Sequence, residues 1–184
     1  MRLFIAVDIP EAVKKELAAV QGAIKRADAD VKWVCPDRIH LTLKFLGETD
    51  ENMLEGLKGI MDKAACNYKG FELSLFRAGA FPALDSPRVL WMGIDGNCAV
   101  LEKLAREIDD LCAGMGFAGE ERRFSAHLTI GRLKSSRNRQ RIKEEVLNAA
   151  FKALTFKVDS IVLYQSILKP DGPAYTVLHR AALG

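Results

Sequence analysis

Apolar positions along this 184-residue chain fall into two spacings, and the alternation between them outlines the fold. Residues 3–7 (Leu3-Phe4-Ile5-Ala6-Val7) form a short apolar run closed by Asp8, which predicts a buried strand. Val13, Leu17, Val20 and Ile24 follow at helical spacing, and Leu54, Leu57, Met61 and Ala64 repeat that spacing further on. A third stripe runs through Leu101, Leu104, Ile108, Leu111 and Met115, and a fourth through Ile142, Val146 and Ala149. Strand-like segments lie between the stripes: around His40, at Phe71–Phe81, from Leu90 to Asp95, around His127, at Phe156–Leu168, and at Tyr175-Thr176-Val177-Leu178.

The order of these elements repeats. Shifting the chain by 87 positions (127 minus 40) lays His127-Leu128-Thr129-Ile130 on His40-Leu41-Thr42-Leu43. The same shift lays Leu90–Asp95 on Leu3–Asp8, with helical stripe falling on helical stripe. Only two copies of so long a period fit, which argues against a solenoid. The expectation is one bilobal domain over residues 1–184 with an internal repeat of approximately 1–87 and 88–175. Its class is α+β: each lobe a mostly antiparallel sheet flanked by two helices, with a cleft between lobes, because regular βαβ alternation is missing. The Phe81-Pro82 to Pro87-Arg88 stretch, punctuated by proline, reads as the crossover between halves.

Composition narrows the class further. With 49% hydrophobic and 28% charged residues the chain can bury a sizeable core. No run is long enough to span a membrane, and the N-terminal apolar run is too short for a signal peptide, so a cytoplasmic protein is expected. Cys35, Cys66, Cys98 and Cys112 are scattered without Cys-x-x-Cys spacing and read as reduced thiols. A net charge of +3 does not by itself indicate nucleic acid. However, Arg122, Arg123, Arg132, Lys134, Arg137, Arg139, Arg141 and Lys143 crowd around the second motif, either as a phosphate track or as a solvated basic face.

Chemistry concentrates in the two His-x-Thr copies, which hold two of the three histidines. On an extended segment a histidine and the threonine two residues later share a face. A single copy reads as a half-buried pair, but two related copies supply an acid, a base and two neutral donors around one small anion. A zinc site fails on ligand count, since catalytic zinc takes about three protein ligands. His179 reads as a core or surface residue. Phe45 and Trp91 read first as core, with base stacking as the alternative. Strict alternation turns Arg132 away from His127, unless a bulge at the strand end redirects it to the phosphate. Tyr164 and Ser166 read either as cleft residues or as a polar strand end.

Together, Arg2-Leu3-Phe4-Ile5-Ala6-Val7, His40-Leu41-Thr42-Leu43-Lys44-Phe45-Leu46-Gly47, His127-Leu128-Thr129-Ile130-Gly131-Arg132, Gly79-Ala80-Phe81-Pro82 with Pro87–Trp91, and Leu163–Ser166 through Gly172–Tyr175 resemble the 2H phosphoesterase superfamily. Within it the resemblance is to the bacterial and archaeal RNA 2′,3′-cyclic phosphodiesterases, historically called 2′-5′ RNA ligases. It implies hydrolysis of a terminal 2′,3′-cyclic phosphate to a 2′-phosphate, with His40 as proton donor, His127 as proton acceptor, and Thr42 and Thr129 binding phosphate. Arg132, Phe45, Tyr164 and Ser166 are candidate substrate contacts. No cofactor and no metal are expected, and ATP-independent 2′-5′ ligation would be close to the reverse path. The expected partner is RNA with a cyclic phosphate end, including tRNA fragments, or small cyclic nucleotides. A non-catalytic RNA-binding module is the alternative from another class.

Overall fold

The computed structural model describes residues 1–170 and 172–184. Two antiparallel sheets form the two lobes. The first has strand order β3-β1-β8-β9, comprising Leu41–Glu48, Arg2–Val7, Ser160–Ile167 and Ala174–Ala182. The second runs β2-β6-β5-β4-β7, comprising Val31–Trp33, His127–Leu133, Val89–Gly96, Phe71–Phe81 and Thr155–Val158. Four helices cover them: α1 (Glu11–Ile24), α2 (Leu54–Ala65), α3 (Cys98–Gly114) and α4 (Arg139–Leu147).

The apolar stripes are what these helices bury. Val13, Leu17, Val20 and Ile24 of α1 lie at or below 1% exposure, as do Leu101, Leu104 and Ile108 of α3. Each such aliphatic side chain contributes about 1.5–3 kcal/mol of transfer free energy, so the stripes set which face of each helix turns inward. The fourth helix ends at Leu147, so the predicted Ala149 falls outside it.

Sequence halves and sheets do not coincide. Strand β4 of the first half joins β5 in the second sheet, whereas β8 and β9 of the second half join β1 in the first. The helices exchange as well. α3 packs against β3 and α2 against β8 and β9, covering the first sheet. α4 packs against α1 and β4, and α1 reaches β6 through Gln21, so these two cover the second. The order β3-β1-β8 in one sheet still matches β6-β5-β4 in the other.

This exchange corrects the expected crossover. Residues 82–88 do not pass between lobes; they close the β4–β5 hairpin within one sheet, with the Arg88 amide donating to the Phe81 carbonyl at 2.8 Å. The chain passes between sheets elsewhere, for example from β2 beside β6 to β3 beside β1. That short path, through the 3₁₀ turn Pro36–Arg38, carries the backbone directly into His40.

Candidate active site

Both motifs sit on strands that meet between the lobes. β3 and β6 approach within 8 Å, Cα to Cα. Thr42 lies in β3, with His40 in the residue leading into it; His127 begins β6, and Thr129 follows. In both copies the intervening leucines, Leu41 and Leu128, are buried at or below 1% exposure, while the histidines and threonines are partly exposed. Alternation on a strand with one face in a core produces this division.

The two histidines are held in the same way. His40 Nδ1 donates to the Arg38 carbonyl at 3.0 Å, and His127 Nδ1 donates to the Ser125 carbonyl at 2.7 Å. Because a carbonyl only accepts, each bond puts a proton on Nδ1 and leaves Nε2 to exchange protons with a ligand.

Their surroundings differ. His40 stacks on Phe4 at 4.5 Å between ring centroids and meets Tyr175 edge-on at 5.2 Å. Phe4 stacks in turn on Tyr164 at 5.2 Å. Burial in this aromatic group holds His40 below the usual histidine pKa, and the Arg38 carbonyl and the Asp8 charge only partly offset it. His127 has, among the described residues, one aromatic neighbour, Phe81, edge-on at 5.0 Å, which in turn contacts Trp91.

Asp8 organises the near side of His40. It accepts from the Tyr164 hydroxyl and, through its other oxygen, from Arg180 Nη2 at 2.5 Å. Burial and the Asp8 contact push the Tyr164 hydroxyl far above the usual tyrosine value, so it stays a proton donor to that carboxylate. Burial also raises Tyr175, against the charges of Arg38, Arg2 and Arg132. A recess of about 140 Å³ opens here, lined by Asp8, Lys14, Arg38, His40, Tyr164 and Tyr175 among others.

Bulges decide which further residues join the cleft. In β3, register slips between Ile5 and Ala6 of its partner: Lys44 pairs with Ile5 and Thr42 with Ala6, leaving Leu43 extra. Leu43 and Lys44 therefore both turn inward, and Phe45 turns out beside Thr42. The slip in β6 is equivalent: Gly131 pairs with Leu90 and Thr129 with Trp91, leaving Ile130 extra. Ile130 and Gly131 turn inward, and Arg132 turns out beside Thr129.

Two sequence readings change accordingly. Phe45 is no core residue; it is 63% exposed, with only its flank against Phe4 at 6.2 Å. Arg132 takes the redirected orientation, and its charge reaches Tyr175 of the other sheet. Trp91 stays half-buried on the same strand pairing as Thr129, with its ring over Gly79. Ser166 pairs with Tyr175 across β8 and β9 and so shares that edge of the cleft.

Much of the basic cluster is already engaged. Arg123 pairs with Glu102 at 3.0 Å, Arg137 with Asp28 at 2.5 Å and Lys143 with Asp85 at 2.5 Å. Arg139 donates weakly to the Asp85 carbonyl. These acids lie far away in sequence, which is why composition around the motif suggested an uncompensated patch. His179 meets Asp62 of α2 at 2.7 Å, away from both motifs in sequence and pairing. Among the described residues no group of three or more His, Cys, Asp or Glu side chains is placed to hold a metal ion. No helix among them is long and apolar enough to cross a membrane.

Sequence reasoning missed two buried polar residues that brace the bulges. Gln21, 2% exposed on α1, donates through Nε2 to the carbonyls of Val34 at 2.7 Å and of the bulged Ile130 at 2.8 Å. Lys44, also 2% exposed, reaches Asp109 of α3. The available signal was a polar residue adjoining each apolar stripe or strand face, which is common enough at helix boundaries to pass unremarked.

Two lobes that present matched His-x-Thr strands to one cleft define a phosphoesterase architecture. The match to the LigT-like phosphoesterase profile covers residues 7–91 and 95–175, and the chain belongs to that family. It is 36% identical over 179 residues to the RNA 2′,3′-cyclic phosphodiesterase of Methanothermobacter thermautotrophicus, covering 96% of this chain and 95% of the relative. Against the protein of that name from Methanocaldococcus jannaschii it is 37% identical over 181 residues, covering 97% and 98%. Among solved structures it resembles TT0787 of Thermus thermophilus, with a TM-score of 0.83 and 29% identity over 100% of this chain and 98% of that one. E. coli LigT complexed with 3′-AMP superposes with a TM-score of 0.76 and 26% identity, over 99% and 97%.

Proposed function

We propose that this chain hydrolyses RNA 2′,3′-cyclic phosphate ends to 2′-phosphates by acid/base catalysis between His40 and His127. The observation that carries this reading is the matched pair of histidines on adjoining strands, each with Nδ1 bound to the carbonyl two residues back. The curated relatives bear the name of that activity over nearly their whole length.

Opening the five-membered ring requires water to attack phosphorus in line with the departing 3′-oxygen, so acid and base belong on opposite sides of the phosphate. In this reading His127 Nε2 takes the proton of the attacking water and His40 Nε2 gives one to the 3′-oxygen. Thr42 and Thr129 donate to the non-bridging oxygens, whose charge grows in the transition state. Burial disfavours the proton on His40 in the free protein; the bound cyclic phosphate anion supplies the opposite charge that restores it. Arg132, turned into the cleft by its bulge, suits the phosphate. Phe45, its counterpart on β3, offers an exposed ring for a base, and Tyr164 and Ser166 complete the His40 side. The chain thus supplies every group this displacement uses, without a cofactor or metal. A 5′-hydroxyl attacking in place of water would give ATP-independent 2′-5′ ligation by the same displacement in the same direction, with His127 taking its proton and His40 again protonating the 3′-oxygen. The two histidines exchange roles only when the 2′-5′ linkage is cleaved back to the cyclic phosphate.

The test is end-group analysis of an oligoribonucleotide with a 2′,3′-cyclic phosphate, incubated with the protein in the presence of a chelator. A 2′-phosphate product supports the reading. A 3′-phosphate product, or turnover only when a divalent ion is restored, refutes it. Running tRNA fragments and cyclic mononucleotides in parallel ranks the substrate classes.

A further inference from the structure

We propose that the pair of the buried Lys44 with the partly exposed Asp109 is a positioning device, a strut that ties the strand of the first motif to the segment delivering His127. The proposal deepens the catalytic reading above and rests on it only for its activity readout. Lys44 Nζ donates to Asp109 Oδ1 at 2.5 Å and to the Ala118 carbonyl at 2.5 Å. Asp109 also accepts the Glu120 amide, at 3.2 Å to Oδ1 and 3.0 Å to Oδ2. Ala118 and Glu120 belong to residues 115–126, which run from the end of α3 to His127 without regular strand or helix. One buried ammonium thus holds the helix and the irregular segment to β3, two residues beyond Thr42.

Two features point to placement rather than stability. A buried ammonium such as that of Lys44 is costly to desolvate even with a carboxylate beside it, and an apolar pair of similar volume holds a fold as well or better. The strut also exists only because the bulge at Leu43 turns Lys44 inward. At the matching position in β6 stands Gly131, overlaid by Val31 and Trp33 of β2, and there the bulged Ile130 carbonyl is held by Gln21 instead. Each bulge is tied to a helix of the opposite half by one buried polar side chain that also grips the approach to a histidine: Gln21 holds the Val34 carbonyl on the path to His40, and Lys44 holds the Ala118 carbonyl on the path to His127.

The experiment compares the parent with the apolar double variant Lys44→Met/Asp109→Leu, reading the thermal midpoint, kcat and KM on a 2′,3′-cyclic mononucleotide, and the Nδ1–H signals of ¹⁵N-labelled histidines. The double variant should fold with a midpoint at or above the parent's. Its His127 Nδ1–H signal should be lost to solvent exchange while that of His40 persists, and kcat should fall by about tenfold to a hundredfold, KM moving far less. Parent-like kcat with an intact His127 signal overturns the proposal; so does loss of both histidine signals together with a falling midpoint. If the double variant does not fold, Asp109→Asn, which preserves size, is judged by the same two signals. If the parent itself turns over no cyclic nucleotide, the functional reading fails while the NMR comparison still decides the strut.

Discussion

Replacing Gly79 with alanine should injure both stability and turnover, because the Trp91 ring occupies the space a side chain needs. A Cβ at Gly79 would stand 2.3, 2.4 and 2.8 Å from three indole carbons. Carbon atoms pack at about 3.5–4.0 Å, so the rigid ring must retreat by about an ångström. Phe81 lies 5.1 Å from Trp91 and 5.0 Å from His127, centroid to centroid, so the displaced ring pushes on the ring that abuts the histidine. Overpacking of this kind costs about 1–3 kcal/mol. In a chain of this size each kcal/mol lowers the midpoint by about 2–4 °C, so the expected loss is about 2–12 °C. An ångström of misplacement at a reacting group costs about a hundredfold, and kcat on a cyclic mononucleotide should fall by about tenfold to that limit. The control is Gly22→Ala: Gly22 is on α1, where a Cβ meets nothing within 4 Å. It should gain about 0.5–1 kcal/mol and keep the parent's kcat. Thermal melts and steady-state kinetics on both variants decide the matter, and a Gly79→Ala protein with the parent's midpoint and rate refutes the argument.

Three further outcomes are expected. His40 binds its proton less readily folded than unfolded, so its stabilising contribution is full above about pH 6.5 and lost as pH falls through the lower folded value. His40→Gln should flatten that dependence in melts across the range. As the proton donor, His40 should also bring the alkaline limb of kcat/KM to lower pH than that of kcat, where bound phosphate restores the proton; coincident limbs would argue against the assignment. Thr42→Val and Thr129→Val should each lower kcat by about a hundredfold to a thousandfold with the melting midpoint nearly kept, and a melt that collapses without a separable kinetic defect would make the threonines structural. Because Arg123 and Arg137 already pair with Glu102 and Asp28, neutralising them should leave the salt dependence of oligonucleotide binding unchanged, whereas Arg132→Gln should weaken mononucleotide binding. A salt slope that falls by about one per removed Arg123 or Arg137 would restore them as phosphate contacts.

What the sequence determined by itself is what depends on near neighbours. Helical stripes such as Val13, Leu17, Val20 and Ile24 reveal their faces because every residue of the period lies on one element. The pairing of His40 with Thr42, and of His127 with Thr129, is equally local, since two residues on an extended chain share a side whatever lies opposite. Tertiary structure alone decided the exchange of β4 and β8 between sheets, because strand order is set by which edges bury the most surface together and not by chain order. It alone decided the orientation of Phe45 and Arg132 too. A bulge arises from register against a partner strand, and one extra residue reverses the side chains that directly follow it. Charge balance was likewise invisible locally: Arg137 is neutralised by Asp28 from 109 positions away, and Lys44 by Asp109 from 65. Buried and paired charges take whatever partner the fold brings within reach, so their meaning becomes fixed only when the chain has closed on itself.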